Sequence, residues 1–173
     1  MIKQEKNYSL WLRPSQSQID ELTKIISKLS HQYRSTPFPA HITLLHSIST
    51  NTDTITKVCE KIIERHSPIS ISLGEIAYSE AYYRNLYILT NSESLLTPIY
   101  EETKNLLKHE TNEVFIPHVS LYYGKLDEKK QQALKEKLAN SYPKVFSCQR
   151  IDLYKTNGKE CEWHLINTFN LKK

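Results

Sequence analysis

A chain of 173 residues with 39% apolar and 24% charged side chains has the composition of a soluble globular protein and the length to bury a real core. Its 23 basic and 19 acidic residues leave a net charge of +4, too little to wrap nucleic acid by charge alone but compatible with a small anionic substrate. No apolar run approaches the ~18 residues of a membrane span, and Met1 to Asn7 is charged without the apolar centre of a signal peptide, so a cytoplasmic protein with no membrane partner is expected.

In chain order, 7–13 predicts a first strand that stops at Pro14 and carries Ser9, Trp11 and Arg13 on one face. A helix follows from about Ser17, with Ser15 or Ser17 as its cap and a Ser15 to Gln18 spacing that fits a capping box. Leu22, Ile26 and Leu29 recur at helical spacing within it. A strand over about 41–47 leads to a second helix, capped within 50–52, whose apolar face includes Cys59 as a small hydrophobe. Strands over 69–77 and 82–90 form a hairpin around Ser79-Glu80. Ser92 or Ser94 opens a third helix with a stripe from Leu95 to Leu107, in which Pro98 fits only the first turn. A strand over 114–123 closes at Gly124, and Asp127 caps a fourth helix that ends near Tyr142-Pro143. Two last strands, 145–155 and 160–171, are joined at Asn157-Gly158. That turn places Tyr154, not Cys148, opposite Cys161, which argues against a disulfide between those two cysteines.

After the first strand, the order helix, strand, helix, hairpin occurs twice, over about 15–90 and 92–171. Both middle strands carry one word, Phe-x-x-His-apolar-Ser/Thr-Leu, as Phe38 to Leu44 and Phe115 to Leu121. Strand alternation puts His41 on one face with Thr43 and His118 with Ser120, each hydroxyl roughly 6 to 7 Å along from its imidazole. Ile42, Leu44, Val119 and Leu121 then point into a core. The duplication predicts an α+β fold of two pseudo-twofold-related lobes, with antiparallel sheets lining a central cleft, helices outside, and the histidine strands face to face. With only three glycines and no flexible linker, residues 1–173 are expected to form a single bilobal domain.

Histidine titrates near ~6.5, so two imidazoles flanking a phosphate can divide the work: one removes a proton from attacking water while the other protonates the departing oxygen. The hydroxyls of Thr43 and Ser120 can donate to the non-bridging oxygens. A cyclic phosphodiester suits such a set, and neither a metal nor another cofactor is required. A structural zinc site is the competing use, since His41, His46 and His118 offer nitrogens, but no cysteine pair or carboxylate stands at ligand spacing. Alternation puts His46 on the face opposite His41, and His66 and His109 near helix C-termini suit structural roles.

His41-Ile42-Thr43-Leu44 and His118-Val119-Ser120-Leu121 resemble the tandem motifs of the 2H phosphoesterase superfamily. Ser9-Leu10-Trp11-Leu12, Pro117 to Tyr123 and a Trp163 strand near the end are similar to its cyclic phosphodiesterase branch. The resemblance implies the two-lobed fold and metal-independent hydrolysis of nucleoside 2′,3′-cyclic phosphates to 2′-phosphates, or of ADP-ribose 1″,2″-cyclic phosphate, a tRNA-splicing by-product, to ADP-ribose 1″-phosphate. It carries over His41, Thr43, His118 and Ser120 as the catalytic set, with His118 as base and His41 as acid, and Trp11, Tyr83 and Tyr123 as aromatic contacts for the substrate. Ala40 departs from the proline usual before the first histidine. Arg13 is a further candidate for a second phosphate. A small cyclic nucleotide substrate and a monomeric protein are expected. The alternatives are a 2H enzyme of RNA ends, either 2′-5′ ligase-like or acting on terminal cyclic phosphates, and a non-catalytic module that binds nucleotides or RNA ends.

Overall fold

The computed structural model describes residues 7–172; the charged segment Met1 to Lys6 lies outside them. In order, the elements are β1 (Tyr8–Arg13), α1 (Gln16–Tyr33), β2 (Ile42–Ile48), α2 (Thr52–Arg65), β3 (Ile69–Tyr78), β4 (Leu86–Thr90), α3 (Glu93–Leu107), β5 (His118–Tyr122), α4 (Glu128–Leu138), β6 (Val145–Cys148), β7 (Arg150–Lys155) and β8 (His164–Asn170). Short 3₁₀ turns, Tyr82–Arg84 and Glu160–Glu162, interrupt the β3–β4 and β7–β8 connections. The strands form one eight-stranded order, β6-β3-β4-β5-β2-β1-β7-β8, antiparallel at every pairing. None of the described helices is long and apolar enough to cross a membrane.

The histidine strands occupy the centre of this order. They are neighbours within the sheet, not opposed across a gap as the duplication suggested, and they pair only at Ile42 and Val119. Both residues are fully buried, as are Leu44 and Leu121, so alternation sends the apolar half of each word into the core as expected. The helices knit the two halves together: α1 joins β1 to β2 yet packs against β5, while α3 joins β4 to β5 yet packs against β2 and α2. Within α1, Leu22, Ile26 and Leu29 form the buried stripe, and Arg34 ends the helix in a left-handed conformation with its N–H donated to the Ser30 carbonyl. Asn51 and Asp127 cap α2 and α4, accepting from the N–H of Thr54 and Lys130.

Several local expectations change. Ser15 makes no side-chain cap bond, and the Gln18 side chain, instead of closing a capping box, bonds the backbone of edge strand β6 at the Val145 carbonyl (2.6 Å) and the Ser147 N–H (2.8 Å). Pro98 lies in the second turn of α3, where it removes one backbone donor, and Leu95 is exposed beside it. Residues 145–155 are two strands: β6 pairs with β3 at one end of the sheet, while β7 pairs with β1 and β8. The β7–β8 connection runs from Lys155 to His164 without a two-residue turn, and Tyr154 stands opposite Leu165. Cys59 and Cys148 are buried, Cys161 is exposed, and all three are free thiols.

Arg13 does not serve a substrate phosphate. Its guanidinium is buried and paired with Asp152 at 3.2 Å, and it donates to the Ala40 carbonyl, one residue before His41. Asp152, also buried, accepts from Arg150 at 3.2 Å and from the Thr168 hydroxyl at 2.8 Å. Removing one partner of an enclosed ion pair leaves the other charge uncompensated. Asp152→Ala is expected to lower the unfolding free energy by about 3–5 kcal/mol, measured by urea denaturation, and Arg13→Met in the same chain to recover most of that loss. A single-variant cost below about 1 kcal/mol would show that the pair does not hold this corner.

Candidate active site

The antiparallel bridge at Ile42 and Val119 sets His41 across from Ser120 and Thr43 across from His118, all four on the face opposite the core. Each imidazole thus has one hydroxyl two residues along its own strand and another directly across. Because the strands pair at that bridge alone, they part on either side, and a cleft of about 650 Å³ opens above them. His41, Thr43, His118, Ser120, Trp11, Tyr83 and Tyr123 line it, whereas Arg13, also singled out from the sequence, does not.

The two histidines are held alike. His41 Nδ1–H donates to the Pro39 carbonyl at 2.6 Å, and His118 Nδ1–H donates to the Ile116 carbonyl at 2.6 Å, each two residues back along the chain. A carbonyl only accepts, so each Nδ1 carries a hydrogen and each neutral ring keeps its Nε2 lone pair for the cleft. Their environments differ. His41 is buried, with Trp11 stacked on it at 3.8 Å and 8° and the Phe38 ring edge-on at 6.4 Å. Burial holds its pKa down to about 3, against the pull of the Pro39 carbonyl and with smaller help from the positive charges of Arg13 and His118. His118 is half-buried, with Tyr87 edge-on at 5.1 Å, and its pKa is lowered by desolvation and by the Arg84 guanidinium.

Trp11 is locked by a relay along β1 and β2: its indole N–H donates to Ser9 Oγ at 2.8 Å, and that hydroxyl donates to the Leu45 carbonyl at 3.1 Å. Tyr154 stacks on its other face at 3.8 Å, so both faces of Trp11 are covered and only an edge is left to a ligand. The Ser120 hydroxyl donates to the Tyr83 carbonyl at 2.9 Å, fastening the Tyr82–Arg84 turn to the second histidine strand. The Thr43 hydroxyl has no protein partner among the described residues.

Tyr83 leaves the expected strand for the 3₁₀ turn and stands 53% exposed at the cleft mouth. Tyr123 is buried against Phe38 at 3.6 Å with Tyr83 edge-on at 5.2 Å; β5 ends at Tyr122, so alternation no longer directs Tyr123 to the core. Trp163, 6.0 Å from Tyr83 and 6.2 Å from Tyr123, completes this wall, and the Glu160 carboxylate of the second 3₁₀ turn bears electrostatically on Tyr82 and Tyr83 of the first.

Three further cleft residues escaped the sequence patterns. His46 does reach this cleft, contrary to strict alternation, because the β1–β2 register slips between Tyr8 and Trp11 and Ser47 adopts φ 56. It meets Glu113 at 2.9 Å, and His109 lies on the same side of the cleft instead of serving only as a helix end. Arg84 sits on an irregular turn that no periodicity marks. His66 by contrast pairs with Glu102 at 2.8 Å, away from the cleft, in keeping with a structural role. Among the described residues no group of three His, Cys, Asp or Glu side chains could hold a metal ion.

Comparison with known proteins matches this chain to one family. The family model of the 2′-5′ RNA ligase superfamily matches residues 11–160. The cyclic phosphodiesterase of Arabidopsis thaliana is 22% identical over 171 residues, covering 95% of this chain and 94% of that protein. Among solved structures, apo LigT of E. coli superposes with a TM-score of 0.66 at 11% identity, covering 97% of this chain and 98% of LigT. Usb1 of Kluyveromyces marxianus gives 0.54 at 14%, covering 96% and 99%. With the family match spanning both histidine words and the fold shared across nearly the whole length, the chain belongs to the 2′-5′ RNA ligase superfamily, the 2H phosphoesterases.

Proposed function

We propose that the protein hydrolyses ribose cyclic phosphodiesters, nucleoside 2′,3′-cyclic phosphates or ADP-ribose 1″,2″-cyclic phosphate, with His41 and His118 as general base and acid. The observation that carries this is the pair of imidazoles fixed as Nδ1–H tautomers on adjacent strands, each flanked by the hydroxyls of Thr43 and Ser120. The Arabidopsis relative bears the name cyclic phosphodiesterase, and the related folds have been solved with small nucleotides, LigT with 3′-AMP and Usb1 with uridine monophosphate.

In a 2′,3′-cyclic substrate, water attacks phosphorus as one neutral Nε2 takes its proton. The bond from phosphorus to O3′ breaks, and O3′ takes a proton from the other ring, leaving a 2′-phosphate. The free Thr43 hydroxyl, and that of Ser120 once turned from the Tyr83 carbonyl, meet the charge that grows on the non-bridging oxygens. His41, enclosed between Trp11 and Phe38, is the harder ring to protonate. It therefore serves as base and the half-buried His118 as acid, the reverse of the order implied by the family resemblance. Trp11 braces His41, the enclosed Tyr123 backs the cleft wall, and the exposed Tyr83, with Trp163, offers aromatic surface to the base.

Turnover of a nucleoside 2′,3′-cyclic phosphate is expected to persist in EDTA and to fall about 10²- to 10⁴-fold in His41→Ala and in His118→Ala. Undiminished rates in both variants would overturn the mechanism, and nucleotide binding with no turnover at all would leave a binding module. A substrate with sulfur in place of the departing oxygen needs no acid, so it is expected to restore His118→Ala far more than His41→Ala; the opposite pattern would exchange the roles.

The pH profile follows from the two shifts. Activity needs His41 neutral and His118 protonated, and both titrate below the ordinary ~6.5 in the free protein. As pH rises, His41 loses its proton first and His118 only later, at a pH still below ~6.5, so kcat/KM is expected to decline through a basic limb as His118 deprotonates. The acid limb lies near about 3, where His41 takes up a proton. A basic limb above neutrality would contradict this assignment.

A further inference from the structure

Arg84, at the end of the Tyr82–Arg84 turn, is the sole arginine or lysine among the described residues lining the cleft. Its guanidinium meets no carboxylate and no hydrogen-bond acceptor there, and its Nε is buried without a partner. That differs from Arg13, the other enclosed arginine, which Asp152 neutralises. A buried donor of this kind left unmet is costly, so it calls for an explanation, and a ligand's acceptor would provide it. The indole N–H of Trp163, on the same cleft, is also buried and unpaired.

What meets a guanidinium fork best is a phosphate, held by two parallel hydrogen bonds. The reacting phosphate already has two imidazoles and two hydroxyls around it. Arg84 stands beside that centre: its guanidinium lies 5.8 Å from the Tyr87 ring, which on its own account meets His118 at 5.1 Å, and its positive charge is felt at His118. The cleft, at about 650 Å³, has room for more than the sugar and cyclic phosphate that react.

We infer that Arg84 recognises a second phosphate in the same substrate molecule, so that the preferred substrate is a ribose cyclic phosphate bearing a neighbouring phosphodiester or pyrophosphate and not a plain nucleoside cyclic phosphate. This rests on the cyclic phosphodiesterase reading for the identity of the reacting group, but Arg84 can be tested without turnover.

Calorimetric titration with adenosine 2′-phosphate and adenosine 2′,5′-bisphosphate measures the preference directly. The native protein is expected to bind the bisphosphate at least about tenfold more tightly, Arg84→Gln to bring the ratio near one, and Arg84→Lys to recover part of it. No preference in the native protein, or an equal loss for both ligands in Arg84→Gln, would overturn the inference. Two turnover arms then separate the sources of the second phosphate. A higher kcat/KM on a dinucleotide with a terminal 2′,3′-cyclic phosphate identifies a phosphodiester, and one on ADP-ribose 1″,2″-cyclic phosphate a pyrophosphate. A gain on neither, beside good turnover of adenosine 2′,3′-cyclic phosphate, counts against Arg84 as the recognition group. Absence of turnover on all three refutes the hydrolase reading instead, and the binding ratio alone then decides the role of Arg84.

Discussion

The contact on which the rest depends is the bridge between Ile42 and Val119. Two fully buried aliphatic side chains hold the middle strands together at one point, and strand alternation converts that single registration into the placement of four polar side chains on the opposite face. A slip by one residue on either strand would carry an imidazole into the core and an isoleucine or valine into the cleft. The same sparse pairing lets the strands diverge, so the cleft exists because the middle of the sheet is only minimally closed.

Around this bridge the protein bears costs that serve the site. His41 is enclosed to the point where its charged form is strongly disfavoured, and it is kept there by a stack of three rings, Tyr154, Trp11 and His41. A second tether works from behind, where buried Arg13, neutralised by Asp152, grips the carbonyl of Ala40. Ala40 is where the first word lacks the proline that the second carries at Pro117, and that grip fixes the entry to the strand by a side-chain bond. His118 has the same carbonyl clamp but a looser setting, so the two words, alike in spelling, give rings of unequal basicity.

The repeated words could be read because they lie on strands, where a period of two fixes which side chains share a face. The same rule failed where the chain leaves ideal strand geometry. Bulges in the β1–β2 pairing turned His46 into the cleft, and the end of β5 at Tyr122 released Tyr123 from its phase. Tyr83, Arg84 and Trp163 lie on or beside short 3₁₀ turns, whose aim is set by tertiary contacts such as the bond from the Ser120 hydroxyl to the Tyr83 carbonyl, not by local periodicity. Residues 114–117 read as the start of a strand by composition, yet Pro117 withholds a ladder donor and leaves Val114 and Ile116 exposed at the cleft wall. That the histidine strands lie side by side follows from pairing between distant residues, which a duplicated pattern announces but does not register.

The order of strands has one more consequence. The hairpin of β3 and β4, which follows the first histidine strand in sequence, pairs with β5 and β6, while the closing hairpin of β7 and β8 returns to β1. Each repeat thus hands its hairpin to the other half. Residues 7–90 alone would hold the β1–β2 pair and the β3–β4 hairpin with a gap where β5 belongs, and that gap could be filled only by a strand from another molecule. The single chain is in this sense a domain-swapped pair tied end to end, and its cleft is an interface between repeats made permanent by covalent linkage.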